Sequence, residues 1–454
     1  MTRPPGPGVV IAAPASGSGK TTLTLGLLRH LAAAGRRVAS AKAGPDYIDP
    51  AFHAAATGRP CLNLDAWAMR ETTLAAAAQS LCDGADLVIC EGVMGLFDGA
   101  VVSDAGRGGG NDGSTAALAE CTGWPVVLVV DAGAQAASAA AVVKGFHGFR
   151  PGVAVAACVF NRVGGARHAT ILTDACRRAL PDVPVLGCLP GADGVALPER
   201  HLGLVQASEH PDLARFLDAA AALVAKHLDV AALVALARPL RFGGEKKAPP
   251  VAPPLPPLGQ RIAVARDDAF RFSYPLVIDG WRSAGVEVAP FSPLADEAPD
   301  TAADAVYLPG GYPELAAGRL AAAGNFLAGL RAAAVRGAVL YGECGGYMVL
   351  GRGLVDADGG RHAMAGLLAL ETSFARPKLR LGYRRAKVVG PGPFGAAGAH
   401  YRGHEFHYAE TTSEGPGEPL FEAADAQSTV LGAAGLRAGN VMGSFIHLID
   451  REQG

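Results

Sequence analysis

Residues 9–22 read VVIAAPASGSGKTT: an apolar β-branched run, a Gly/Ser turn, then Lys-Thr-Thr opening an apolar-periodic segment, LTLGLLRHLAAAG. A strand that ends in a glycine-rich turn before a helix aims backbone N–H groups at the helix N-terminus, where they cradle phosphates. On this reading Ser16, Gly17, Ser18, Gly19, Lys20, Thr21 and Thr22 form a nucleotide cradle. Lys20 reaches the β- and γ-phosphates, and the Thr21 hydroxyl binds Mg²⁺. Pro14 stands where the GxxxxGK[ST] pattern wants its first glycine, but the strand–turn–helix context is intact. Ala15 stands where partitioning-type ATPases need a lysine, which counts against a dimerising switch.

Outward from this stretch the same alternation continues. Short β-rich runs (RVASAKAG, DLVICEG, PVVLVVDAG, VAVAACVFN, VPVLGCLP) are separated by Ala/Leu-rich helical stretches, the pattern of a parallel α/β sheet. A second set begins with RIAVARD, VEVAPFS, AVYLPGG and AVLYGEC. Between the sets lies GGEKKAPPVAPPLPPLGQ, residues 243–260, whose six prolines forbid a ladder or a helix and predict a semi-rigid extended spacer. A chain of 454 residues is long for one core. The reading is therefore two α/β domains, 1–242 and 261–454, joined by that spacer.

Composition narrows the class. Half the residues are hydrophobic and the formal charge is −2, so no electrostatic case exists for nucleic acid or a membrane surface. No apolar run approaches the ~20 residues that span a bilayer, and the N-terminus MTRPPGPGVVIAAP lacks a signal-peptide pattern. Eight cysteines without a CxxC pair or regular spacing suit reduced thiols in a cytoplasm.

Two acidic stretches follow strands: KAGPDYIDP (42–50) and CEGVMGLFDG (90–99). Ligands of open parallel sheets bind beyond the carboxyl ends of the strands, so Asp46, Asp49, Glu91 and Asp98 are expected to face the nucleotide. Four carboxylates repel a triphosphate unless Mg²⁺ or another cation stands between them. Thr21, Asp46 and Glu91 are assigned to Mg²⁺, since hydroxyl and carboxylate oxygens suit a hard ion. Asp49 and Asp98 are placed on the substrate side. Asn161, ending VAVAACVFN, reads the nucleotide base or forms a turn.

In the second half, YGECGGYMVL (341–350) sets Cys344 between a short strand and a helix, caged by glycines. It is the only cysteine after residue 188. GxCxG on a strand-to-helix turn is the thiol form of a nucleophile elbow. Its base is sought among His362, His400, His404, His407 and His447; His447, in the closing apolar strand VMGSFIHLID, is the choice. The Gly310 and Gly311 N–H groups of LPGGYPE could supply an oxyanion hole.

As an ordered set, PASGSGKTT, KAGPDYIDP, EGVMGLFDG, LPERHLGLV, ARDDAFRFSYP, LPGGYPEL, GECGGYMVL and YRGHEFHYAE resemble the motifs of cobyrinate a,c-diamide synthases, whose aerobic-pathway members act on hydrogenobyrinate. The resemblance runs over nearly the whole chain. It implies a dethiobiotin-synthetase-like P-loop domain joined to a flavodoxin-like class I glutamine amidotransferase domain. It also implies ATP and Mg²⁺ as cofactors and glutamine and a corrin polycarboxylate as substrates. In the implied reaction ATP phosphorylates a corrin carboxylate and ammonia made at Cys344 displaces the phosphate, first at the c and then at the a acetate.

One departure stands out. Many class I glutaminases carry a glutamate two residues after the histidine, where this chain has Ile449. The corrin-amidating branch lacks that member, so His447 is left to Glu405 or a main-chain carbonyl, with Asp450 expected on the opposite face. Three alternatives stay open: a cobyric acid synthase, an amidase of a nickel tetrapyrrole, and a non-catalytic nucleotide switch. The IDP and GHEFHY stretches favour the a,c-diamide branch. The sequence does not separate a cobalt-containing from a metal-free ring, and it leaves a homodimer open.

Overall fold

A computed structural model of the chain describes residues 4–102, 111–191, 195, 199–200, 203–204, 206–242 and 252–452. The stretch 243–251 of the proline-rich segment and most of LPERHLGLV lie outside these residues. The chain divides into two compact units.

The first unit comprises Met1–Trp67, Glu71–Gly99 and Ala105–Val251. Its strands are β1 (Gly8–Ala12), β2 (Val38–Ala43), β3 (Cys61–Leu64), β4 (Leu87–Glu91), β5 (Val126–Asp131), β6 (Val155–Val163) and β7 (Val185–Pro190). They form one sheet in the order β3-β2-β4-β1-β5-β6-β7, every pair parallel. Val9, Val10 and Ile11 of β1 are fully buried. That is why these strands read as unbroken apolar runs: both faces of the sheet are covered, and each such side chain contributes about 1.5–3 kcal/mol. The edge strand β3, CLNL, escapes a reading based on β-branched residues because it has none. A short antiparallel pair, β8 (Glu199–Arg200) and β9 (Gly203–Leu204), completes this unit.

Helix α1 (Lys20–Ala33) buries Leu23, Leu25, Leu27, Leu28 and Leu31. The connection leaving β1 runs to β2 on one side, and the one leaving β4 runs to β5 on the other. Such a reversal opens a crevice at the carboxyl ends of the two strands. The phosphate-loop motif follows β1, and Glu91 ends β4.

The second unit holds Ala68–Arg70, Ala100–Asp104 and Ala252–Gly454. Its strands are β10 (Arg261–Ala265), β11 (Glu287–Phe291), β12 (Ala305–Leu308), β13 (Val339–Glu343), β14 (Gly353–Val355), β15 (Arg361–Ala363), β16 (Leu370–Ser373), β17 (Arg380–Val388), β18 (His400–His407), β19 (Glu410–Glu414), β20 (Glu418–Ala424), β21 (Val430–Ala438), β22 (Val441–Ser444) and β23 (Ile446–Arg451). Ten of them form one sheet, β11-β10-β12-β13-β22-β21-β20-β17-β18-β23. The first five are mutually parallel, as expected for a flavodoxin-like core. From β22 onward every pairing is antiparallel. A smaller sheet joins β15-β14-β16-β19.

Two expectations change here. VMGSFIHLID is two strands, not one: β22 runs parallel to β13, and after Phe445 β23 pairs antiparallel with β18. The Ser444 hydroxyl accepts the Ile446 N–H at 3.0 Å, a local turn that breaks the ladder. The described part of the proline-rich segment, expected as a semi-rigid extended spacer, packs instead within the second unit. Leu255 and Leu258 are buried, and Trp281 Nε1 donates to the Leu255 and Pro256 carbonyls at 3.2 Å. Prolines keep this segment out of any ladder, yet the leucines between them still seek a core.

Candidate active sites

The turn between β1 and α1 has Gly17 at φ 75° and Gly19, the residue before the helix, at φ 97°. Within it the Ser18 hydroxyl donates to the Ala15 carbonyl at 2.9 Å. Lys20 is buried and its ammonium donates to the carbonyls of Met94 (2.6 Å) and Ala15 (3.3 Å). Burial, then the charge of Lys42, lower its pKa below the usual lysine value. Ser16 lies exposed at the tip, and the Thr22 hydroxyl donates to the Val195 carbonyl at 3.4 Å. Asn161, near the end of β6, donates its amide N–H to the Ser18 carbonyl at 3.0 Å and so braces the loop.

Across the β1/β4 crevice the Thr21 hydroxyl donates to Glu91 Oε1 at 2.6 Å. Glu91 is completely buried, and Lys42 Nζ bonds the same oxygen at 3.0 Å. Lys42 is itself buried, bonds Asp49, and lies 3.7 Å from Asp46. His53 Nε2 meets Glu91 Oε2 at 2.7 Å, and its Nδ1 lies 3.5 Å from the Cys61 thiol. Burial works against the Lys42 charge, but Asp49, Glu91 and Asp46 outweigh it and hold its pKa well above the ordinary value. Burial likewise opposes ionisation of Glu91, and Lys42, His53 and Thr21 outweigh it, leaving Glu91 a firm carboxylate.

The structure thus gathers Thr21, Asp46, Asp49 and Glu91. Asp46 also shapes the loop, its Oδ1 accepting the N–H groups of Ile48 and Asp49. Asp98 is exposed, accepts the Gly95 N–H at 2.8 Å, and places its charge beside Lys20. Lys42 and His53 are what the sequence reading missed. The cation expected among the carboxylates is in part supplied by the chain, and the signal was present: Lys42 is the only charged residue of β2, directly before the acidic stretch. Removing one partner of a buried ion network leaves uncompensated charge. Lys42→Met is therefore expected to lower the stability of this unit by about 3–5 kcal/mol, read as an earlier urea midpoint; an unchanged midpoint would refute the ionised network.

Among the described residues no group of three His, Cys, Asp or Glu side chains is set to hold a metal ion. Mg²⁺ does not require one, since it is commonly held by one or two carboxylates together with phosphates and water. The adjacent Thr21 hydroxyl and Glu91 carboxylate, with Asp46 around the same ammonium, are hard oxygen donors of that kind.

The second site lies at the end of β13. Cys344 has φ 46°, ψ −101°, a left-handed conformation unusual for a residue with a side chain. The turn is held by Cys344 N–H on the Ser444 carbonyl (2.8 Å) and Met348 N–H on the Cys344 carbonyl (3.0 Å). The glycines around it have a packing cause: a Cβ on Gly346 would sit 1.9 Å from the Leu308 carbonyl oxygen. The thiol points to the Phe406 carbonyl at 3.7 Å and is buried. Burial, then the nearby Glu314 charge, push it well above the usual thiol range. The resting group is a protonated thiol, which needs a base to become a nucleophile.

His447, the histidine chosen from the sequence, is unprotonated and so able to accept a proton. It is buried on β23, and burial followed by the proximity of His404 and His407 holds it neutral. Its ring stacks on His404, centroids 5.0 Å apart. The Gly310–Gly311 turn touches both halves of the site: a Cβ on Gly310 would meet His447 Cε1 at 2.4 Å, and one on Gly345, next to Cys344, would lie 3.0 Å from Gly311 N. Three of the other candidate histidines are engaged elsewhere. His362 bonds Asp356 at 2.7 Å, His400 is half exposed 4.0 Å from Glu452, and His407 bonds Glu405 at 2.8 Å and stacks on Phe445.

Glu405, offered as the orienter of His447, binds Arg384 and His407 instead. His404 pairs with His447 across β18 and β23, so its neighbour Glu405 projects from the other face. Asp450 is bound by Arg70.

With this geometry in hand, comparison with known proteins is informative. Residues 9–205 match the model of the CobQ/CobB/MinD/ParA nucleotide binding domain, and residues 261–453 that of the CobB/CobQ-like glutamine amidotransferase domain. Over 445 residues, 98% of each chain, the sequence is 53% identical to the hydrogenobyrinate a,c-diamide synthase of Brucella anthropi. It is 53% identical over 447 residues to the protein of that name from Rhizobium meliloti, covering 98% of this chain and 99% of that one. The Mesorhizobium japonicum protein of the same name is 50% identical over 444 residues, 98% of each chain.

Proposed function

The chain belongs to the hydrogenobyrinate a,c-diamide synthases, and on that premise we propose that it amidates the c and then the a acetate of a corrin ring, with nitrogen from glutamine and energy from ATP. The observation that carries the reading is the presence in one chain of a phosphate loop bonded to a buried Lys–carboxylate cluster and of a strained Cys344 elbow with a neutral His447, both beside the Gly310–Gly311 turn.

A carboxylate is a poor acyl donor. Its oxygen attacks the γ-phosphorus of ATP, ADP leaves, and the acyl phosphate that forms carries a leaving group. Ser16–Thr22 cradle the phosphates and Lys20 balances their charge. Thr21, Asp46 and Glu91 would hold Mg²⁺, which when bound supplies further charge neutralisation at the phosphates. Asp49 and Asp98 face the macrocycle side, and Asn161 braces the loop.

In the second unit His447 takes the Cys344 proton and the sulfur attacks the glutamine amide carbon. Gly310 and Gly311 offer N–H groups to the oxyanion. The C–N bond breaks, ammonia leaves with the proton returned by His447, and water releases glutamate from the thioester. Ammonia then attacks the acyl phosphate and inorganic phosphate departs. All eight cysteines are free, and no helix among the described residues is long and apolar enough to cross a membrane. A cytoplasm, which keeps thiols reduced and supplies ATP, is the compartment we assign.

The test is incubation with ATP, Mg²⁺, glutamine and each of a metal-free corrin, a cobalt corrin and a nickel tetrapyrrole, with mass spectrometry counting the amides gained. Two amides on a corrin are expected; no amide on any ring would overturn the reading. One phosphate loop activates one carboxylate at a time, so a monoamide is also expected early in the time course when substrate is in excess. Diamide without detectable monoamide would mean that the ring is turned over in place without release.

A further inference from the structure

We propose that Glu343, the residue immediately before the nucleophile, is the positioning residue of the thiol site: its carboxylate orients His447 and balances the charge of the imidazolium. This rests on the reading of Cys344 as a glutaminase nucleophile. Glu343 ends β13 and its side chain is buried. Three donors hold the carboxylate in place: Tyr307 O–H on Oε2 at 2.7 Å, Tyr341 O–H on Oε1 at 2.9 Å, and Leu448 N–H on Oε1 at 3.2 Å. The last belongs to the residue after His447, so one carboxylate ties the strand of the nucleophile to the strand of the base. Its Oε2 stands 3.9 Å from His447 Nδ1, with both side chains shielded from water.

Two of the other acidic residues considered for this role are engaged elsewhere, Glu405 by Arg384 and His407, and Asp450 by Arg70. Ile449 carries no charge. Burial lifts Glu343 to about 7 against the pull of its three donors. A positive charge forming 3.9 Å away adds to those donors in favouring the carboxylate form.

With Nδ1 turned toward Glu343, Nε2 takes the Cys344 proton as the S–C bond forms and returns it to nitrogen as the C–N bond breaks. The two tyrosines are the lock on this arrangement. Their rings stack at 5.8 Å in the core between β12 and β13, so the carboxylate cannot turn away without repacking them.

The test uses the full chain. For Glu343→Gln, glutamine hydrolysis is expected to fall about 100-fold or more in kcat, with KM for glutamine essentially unchanged. Alkylation of Cys344 by a chloroketone analogue of glutamine should slow by the same factor, and Glu343→Asp should recover part of the loss. Ammonia-dependent amidation should stay at the wild-type rate. An unchanged kcat, or equal losses in the glutamine and ammonia reactions, would overturn the proposal. If Glu343→Gln does not fold, Tyr307→Phe loosens the same carboxylate and should lower kcat about 10-fold with KM kept; an unchanged kcat there overturns it too. Glutamine-dependent activity surviving in Cys344→Ser would instead sink the thiol reading itself, which separates the two failures.

Discussion

Cys344→Ser is expected to lose glutamine-dependent amidation by roughly 10³-fold or more while still making diamide from ATP and a high concentration of ammonium salt. Burial raises the thiol's pKa and keeps His447 neutral, so on the proposed mechanism catalysis depends on His447 accepting the thiol proton. A serine hydroxyl in the same place is a far weaker acid, and the same base cannot make it an effective nucleophile. The phosphate loop and the Lys42 cluster are built wholly from residues of the first unit, and their chemistry needs only an amine. The ammonia reaction should rise with pH as more free NH₃ becomes available. Product assays with each nitrogen source decide the matter. If the variant is folded yet loses both reactions, Cys344 acts in the synthetase chemistry and the division between the two units is wrong.

Lys20→Ala should fail with either nitrogen source, losing about 10²–10³-fold or more. A lysine in this loop position meets the charge that develops on the transferred phosphoryl group, and no supply of ammonia replaces it. The Lys20 ammonium already lies across the mouth of the loop, on the Ala15 and Met94 carbonyls. Burial together with Lys42 makes it less comfortable as a cation there than in water, so phosphate oxygens should be the better partners. Titration with a fluorescent ATP analogue separates binding from turnover. Wild-type amidation from ammonia in a folded Lys20→Ala would remove Lys20 from the reaction.

Much of both sites was legible because their key residues are contiguous. A strand, a glycine turn and Lys-Thr-Thr within residues 9–22 specify a phosphate cradle by local geometry alone. Gly342–Gly346 around Cys344 does the same for an elbow, and the φ of 46° at Cys344 is the strain such a pattern foretells. Asp46, Asp49 and Glu91 could be named because strand ends converge in a parallel sheet. The ordered motifs also sufficed to suggest the family.

What stayed hidden depends on partners far apart in sequence. Lys42 and Glu91 are 49 positions apart, and β2 and β4 bring them together only because β4 lies between β2 and β1 in the sheet. Glu343 and Leu448 are 105 apart, and whether the residue before Cys344 or one near the histidine's end of the chain stands beside His447 is a matter of which side chains the sheet turns inward. Likewise, no local pattern says that VMGSFIHLID changes partner at Phe445, since both halves are apolar and β-forming. By itself the sequence determined which short segments are the candidates for phosphate and thiol chemistry, because hydrogen-bonding turns and glycine conformations are set within a few residues. Only the tertiary structure decided which charges neutralise the carboxylates and which carboxylate stands by His447, because burial and strand order set the strength of an electrostatic interaction, and neither is a property of a contiguous stretch.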